Sequence, residues 1–464
     1  MVARGLPQAK SISMRCSPSR RKLPDRLPPI HTLPADTLIE IFLLCLPQSQ
    51  CASIDNRNAP ISLTMVCRSW RMIATNRSEL WSTIRVSHKL SVASVPIIKI
   101  WLNRSKDRPL TFRLPPEDHP DSHKFLNCFF PHAPRWADAH LQISQETFAL
   151  LLRRLVRART HLKQLVSLDL QITNESKHDF SAKLSAFLSL APRLRYLCVA
   201  DAGLPSSLLS IPSSSVLTDL FLDMALGPRQ ALHILKFATA LRECTFANLV
   251  RFELEHSSVP IYHPHLTSLS ICTSQHLSFF FEMLTLPSLQ SISIEYGGEN
   301  WEGEVSFPFE FPSFHYTQML QRSHCHLESF KLRNSGISAT SLIPCLEPAQ
   351  QHLRVLEVCG QGNIKSINRA VIELLTCDPR NPVGNYPVFC PRLEEITFRE
   401  CVSCAVGDFA SLVTSRSQIT PPAGLAPLRR ILVFGAHTED YRILRRLQLD
   451  GKIRHDVQFD IRSF

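Results

Sequence analysis

Residues 191–199 read APRLRYLCV, and the cadence returns as LPSLQSISI at 286–294 and CPRLEEITF at 390–398. In each copy a proline precedes three apolar residues spaced as LxxLxL. The last two alternate like a strand with one buried face, and the proline suits the turn that leads into it. The same spacing occurs at Leu165-Leu168-Leu170, Leu217-Leu220-Leu222, Leu266-Leu269-Ile271, Leu327-Phe330-Leu332, Leu353-Leu356-Val358 and Leu428-Ile431-Val433, with a weaker copy at Leu241-Cys244-Phe246. Successive starts from Leu194 to Leu289 lie 23 to 25 residues apart. A period in this range predicts a solenoid, in which each layer packs mainly on its neighbours and the product is a curved sheet with an extended concave surface.

Working outward, spacings of 38 (Leu289 to Leu327), 40 (Leu353 to Leu393) and 35 (Leu393 to Leu428) predict loops inserted into the return paths. Such insertions are candidate functional loops, above all Gly297–Phe314, with Trp301, and Cys377–Pro391. Between Leu80 and His161 a helix is expected at Ile97–Leu102 after Pro96, with strands at Leu110–Leu114 and Ala137–Ile143. Degenerate first repeats therefore begin soon after Trp81, and no flexible linker separates them from what precedes.

Strand residues that flank the buried positions face the concave side of such a fold. They include Asp169, Tyr196, Asp219, Phe221, Asp223 and Glu243 early, then Lys331, Arg333, Glu357, Arg399 and Arg430. These are the candidate partner-binding residues. Their drift from acidic to basic is expected to orient a partner by complementary charge.

Upstream stand LPADTLIEIFLLCL at 33–46 and APISLTMVCRSWRMIATNRSELW at 59–81. Pro34 suits the first turn of a helix, Asp36 complements its positive end, and Leu38, Ile41, Phe42 and Cys45 share one face until Pro47 ends the run. Residues 47–60 read as a polar surface loop. Pro60 starts a second helix with Ile61, Leu63 and Val66, and a third centred on Trp70 carries Ile73 and Ala74. Three helices this short bury little by themselves, so their surplus apolar surface is expected to dock a partner.

The order Leu33-Pro34, Ile41-Phe42, Val66-Cys67-Arg68-Ser69-Trp70-Arg71, Ile73-Ala74 and Leu80-Trp81 resembles the F-box, in the expanded form with a long first loop frequent in proteins of mushroom-forming fungi. The repeats resemble the irregular leucine-rich repeats that follow many F-boxes, although only Cys401 occupies the last position of LxxLxLxxN/C. The resemblance implies an α/β fold: a three-helix F-box-like module at 30–86 and a degenerate leucine-rich-repeat domain at 87–464, behind a basic tail at 1–29. It further implies that the adaptor Skp1, itself linked to a cullin-based ubiquitin ligase, docks on Leu33, Pro34, Leu38, Ile41, Phe42, Val66, Cys67, Trp70 and Trp81. The repeats would present a protein substrate. The chain would then be the substrate-recognition subunit of a Skp1–cullin–F-box ligase, or alternatively a Skp1-binding scaffold with no role in ubiquitination.

Other classes find little support. The formal charge is +11, but Arg4, Lys10, Arg15, Arg20, Arg21, Lys22 and Arg26 crowd the tail and the remaining bases are scattered, so no nucleic-acid partner is expected. The tail lacks the apolar core of a secretory signal, and no apolar run reaches the roughly 20 residues of a membrane span. Fifteen cysteines without such a signal fit a reducing cytoplasmic or nuclear setting. Cys401 and Cys404 form the only CxxC pair. Neither His256, His263 and His265 nor His324, Cys325 and His326 has a metal-site spacing. Gly360–Ser366 lacks the phosphate-loop pattern, and there is no GxSxG elbow. No enzymatic activity, cofactor or metal is expected.

Overall fold

The computed structural model describes residues 30, 33–47, 51–173, 180–201, 209–212, 215–250, 260–297, 310–360, 365–377, 388–417, 425–434, 438–454 and 456–462. Helices α1 (Ala35–Leu44), α2 (Ile61–Val66) and α3 (Arg68–Asn76) open the chain, and α4 (Val95–Arg104) follows. A fourteen-stranded sheet runs through the rest. Its strands are β1 (Thr83–Arg85), β2 (Leu110–Arg113), β3 (Trp136–Ile143), β4 (Ser167–Ile172), β5 (Tyr196–Asp201), β6 (Asp219–Met224) and β7 (Glu243–Leu249). They continue as β8 (Ser268–Thr273), β9 (Ser291–Tyr296), β10 (Ser329–Ser335), β11 (Val355–Gly360), β12 (Glu395–Arg399), β13 (Arg430–Phe434) and β14 (Gln458–Arg462). Every pairing is parallel and between strands consecutive in this series. This is an α/β solenoid of the leucine-rich-repeat kind.

The cadence explains the stacking. The second apolar positions Leu168, Leu197, Leu220, Cys244, Leu269, Ile292, Phe330, Leu356, Ile396 and Ile431 stand side by side in register, as do the third positions from Leu170 to Val433. No member of either row is more than 3% exposed. The first leucine closes the turn before the strand. The Leu194 amide donates to the Ala191 carbonyl at 3.2 Å, and Leu289 to Leu286 and Leu393 to Cys390 do the same at 3.2 Å. Pro192, Pro287 and Pro391 thus take the second position of a four-residue turn, where their fixed φ is an advantage.

Helices cover the opposite face of the sheet. In Gln145–Arg157 the Ser144 hydroxyl accepts the Thr147 amide at 3.2 Å as a cap, and Phe148, Leu151, Leu152 and Leu155 bury one side at helical spacing. The long spacings predicted as loops contain whole helices, Ser313–Ser323, Arg369–Leu375 and Asp408–Arg416. The loop residues 298–309 and 378–387, Trp301 among them, lie outside the described residues, as does the tail at 1–29.

Arginines join neighbouring layers. Arg416, fully buried, donates to the carbonyls of Leu375, Phe389 and Cys390. Arg322 donates to Phe281, Glu282 and Leu284, and Arg135 to Leu102 and Arg108. Each guanidinium reaches at least one carbonyl at the end of an adjoining helix, where carbonyls have no intrahelical partner, and others in the segments beside it. At Gly360 a Cβ would meet the Cys401 Cβ at 3.0 Å and the Glu400 carbonyl at 3.2 Å, so only glycine lets β11 and the segment after β12 approach this closely.

Within the segment 47–60, expected as a plain surface loop, residues 51–60 have a structural task at the sheet edge. Ser53 forms a parallel bridge with Arg85, the Arg85 amide donates to the Ala52 carbonyl at 2.7 Å, and Ala52, Ala59 and Pro60 are buried. The insert covers the open edge of β1, where unpaired backbone groups would otherwise invite another strand. Its polar composition concealed this because the pairing is made by the backbone.

Candidate functional site

Two surfaces stand out: the outside of the helical module and the uncovered strand face. In the module, α1 starts after Pro34, with the Leu38 amide donating to the Pro34 carbonyl at 3.1 Å. Leu38 and Phe42 point inward, and the Phe42 ring meets that of Trp70 at 4.8 Å. Trp81 is buried at the junction with the solenoid. Its indole N–H donates to the Ala74 carbonyl at 2.7 Å, its ring lies edge-on to Trp101 at 4.9 Å, and Arg104 covers it at 4.5 Å. Strand β1 begins two residues later, so a packed aromatic pair joins module and sheet.

Burial divides the expected docking set. Leu38, Phe42 and Trp81 belong to the module's own core because three short helices need every large side chain they can bury. The Cys67 thiol accepts the Trp70 amide at 3.4 Å and caps α3. Pro34 and Val66 are exposed, while Leu33, Ile41 and Trp70 are half-buried. Leu44 at 74%, Met65 and Val66 at 59% and Met72 at 57% carry the exposed apolar surface. Of these, sequence reasoning missed Leu44, Met65 and Met72. The signal for Leu44 was present: from Ile41 to Leu46 the chain is apolar all round, more than one buried face can absorb.

On the sheet, Asp169, Tyr196, Asp219, Phe221, Asp223, Glu243, Lys331, Arg333, Glu357, Arg399 and Arg430 all lie on the uncovered face, half-buried or exposed. Ion pairs flatten the basic end of the expected drift from acid to base. Arg333 pairs with Glu357 at 2.7 Å and with Glu295 at 3.6 Å, and Arg430 with Glu395 at 3.3 Å. Arg399 lies over the Phe434 ring at 5.1 Å. The hydrogen bond that Arg333 donates to Glu357 raises the Arg333 pKa further. Glu295 and Glu395 offset much of the positive charge of this half, and their effect was hidden because the pairs join residues 35 or more apart in sequence.

The early half keeps its negative charge. Across β3 to β7 the register sets Asp138, Ser167, Tyr196, Asp219 and Glu243 in one row and His140, Asp169, Cys198, Phe221 and Thr245 in the next. His140 holds Asp169 at 2.5 Å. Burial raises the Asp138 pKa, with Ser167 and Arg113 opposing, and pushes the Cys198 thiol up to about 11, helped by Asp169. No lysine or arginine occupies these two rows; Arg113 stands beside them on β2.

His263 is buried, its Nε2 lies 3.0 Å from the Ala238 carbonyl, and burial lowers its pKa. His324 and His326 are exposed, and His326 stacks on His352 at 4.2 Å. Burial pushes the Cys401 thiol up to about 12 and Cys404 to about 11, away from the thiolate that metals and electrophiles require. His256 and residues 361–364 lie outside the described residues. Among the described residues no three His, Cys, Asp or Glu side chains gather as a metal site, and no helix is long and apolar enough to cross a membrane.

No family model matches the sequence, and no curated protein matches it. Among solved structures the fold is similar to one described as the crystal structure of the Rad7 and Elc1 complex in yeast, with 14% identity over 70% of this chain and 76% of that chain and a TM-score of 0.34. A likeness this slight has no bearing on function.

Proposed function

We propose that the chain is a non-enzymatic substrate-recognition subunit of a Skp1–cullin–F-box ubiquitin ligase. The observation that carries the reading is a helical module with exposed Leu44, Met65, Val66 and Met72, joined through Trp81 and Trp101 to a solenoid with a long uncovered strand face. Aliphatic side chains this exposed on so small a module suit an adaptor, and methionine adapts readily to a partner surface. The F-box-like order of residues 33–81 supports the choice of Skp1. A packed junction would hold a bound substrate at a set distance from a transfer centre on another chain, so the contribution to catalysis would be proximity.

The test is capture of purified Skp1 by the full chain. Replacing Leu44, Met65 and Met72 together by aspartate should abolish capture while the circular dichroism spectrum and melting midpoint stay unchanged; undiminished capture overturns the adaptor role. A partner whose ubiquitination and turnover depend on the chain completes the reading, whereas captured partners that are never ubiquitinated would make it a scaffold.

A further inference from the structure

We propose that the uncovered face of β5 to β7 receives a basic, extended segment of a partner protein, with a lysine or arginine side chain seated over the Phe221 ring between Asp219 and Asp223. The inference rests on the reading of the chain as a receptor for protein substrates and names the chemistry of what is received.

Phe221 and Tyr196 are 36% and 41% exposed on a face whose opposite side forms the core. Asp219 and Asp223 stand two residues to either side of Phe221 on β6, about 7 Å away along the strand and on the same face. Across the sheet Phe221 neighbours Cys198 and Thr245, and Asp223 neighbours Ala200, all too small to cover the ring. Asp219 is in register with Glu243 on one side and Tyr196 on the other. Among the described residues, Asp219, Asp223 and Glu243 form no ion pair; Asp219 accepts only the neighbouring Thr218 hydroxyl, at 2.6 Å. An aromatic face bounded by carboxylates attracts a cation through the ring quadrupole and through charge together.

The rest of the molecule sharpens the choice. Nucleic acid and anionic lipid would be repelled here. The face from β9 to β13 is largely self-neutralised, and the formal charge of +11 gives a basic peptide no general attraction to this protein. Exposed Arg195 and Arg242 stand at the strand entries, one residue before the rows. They border the patch and favour a segment that crosses the strands over one that runs along them.

The probe is a fluorescein-labelled peptide of alternating arginine and serine, with its glutamate counterpart as control, titrated into the full chain and read by anisotropy. The basic peptide should bind and the acidic one should not, and raising salt from about 50 to about 300 mM should weaken binding. The double variant Asp219→Asn, Asp223→Asn should weaken it at least tenfold, Phe221→Ala several-fold, and Arg369→Gln, on a covering helix, should leave it unchanged. Equal binding of both peptides, or undiminished affinity in the aspartate variant, overturns the proposal. So does a rise in affinity on removing residues 1–29, which would make the chain's own basic tail the occupant. Skp1 capture by the same preparations separates the two readings: it should persist in every face variant, and its loss from the unaltered chain would count against the ligase assignment while peptide binding still speaks for the face.

Discussion

The helical module and the solenoid treat apolar surface in opposite ways. The two strand rows are sealed to within 3% exposure, each layer covered by the next, whereas the module leaves Leu44 exposed at 74% and Met65 and Met72 at more than half. A repeat can complete its core by adding another copy of itself. Three helices between Ala35 and Asn76 have no such recourse, so they spend their largest side chains inward and on the junction and present the remainder to solvent.

The junction is where the comparison breaks most readily. Trp81→Ala removes the indole from between Ala74, Trp101 and Arg104, and should cost about 3–5 kcal/mol in urea denaturation, with the module melting before the sheet. A single transition of unchanged midpoint would mean that module and solenoid do not share a core. Within the solenoid, Arg416→Ala strands the buried carbonyls of Leu375 and Cys390 without a partner, a loss of about 3 kcal/mol by the same measurement. Gly360→Ala should cost about 1–3 kcal/mol because the new methyl meets backbone at Glu400 and Cys401.

Acid sharpens the contrast further. The pKa of His263 is depressed by burial, so the unfolded chain takes up a proton at higher pH than the folded one. The stability held above the unfolded value near 6.5 is then lost as pH falls toward the lower folded value. Thermal melts from pH 7 to pH 5 should decline more steeply in the natural chain than in His263→Gln; parallel curves would clear His263 of the effect. The smallest change should come from Arg333→Gln, since ion pairs on a solvated face contribute at most about 1 kcal/mol.

Much of this architecture could be read from short-range pattern. Leu168 and Leu170, two apart, declare a buried face in any strand, and Pro192 declares the turn before it. Helices α1 to α3 followed from Pro34, Pro60 and the apolar spacing around Trp70. Other features were invisible for a common reason: they depend on partners distant in the chain. Ser53 looks like any loop serine until Arg85 lies beside it, and Arg399 looks like a free cation until Phe434 comes under it.

By itself, then, the sequence determined the period, the alternation and hence the parallel stack, because those follow from which side chains avoid water within a few residues of one another. Tertiary structure alone decided which residues of that stack remain available. Leu38, Phe42 and Trp81 went to the core, Arg333 and Arg430 went to acids on adjoining strands, and Phe221 was left open between Asp219 and Asp223. Exposure and net local charge are sums over neighbours, and the neighbours are chosen only when the layers meet.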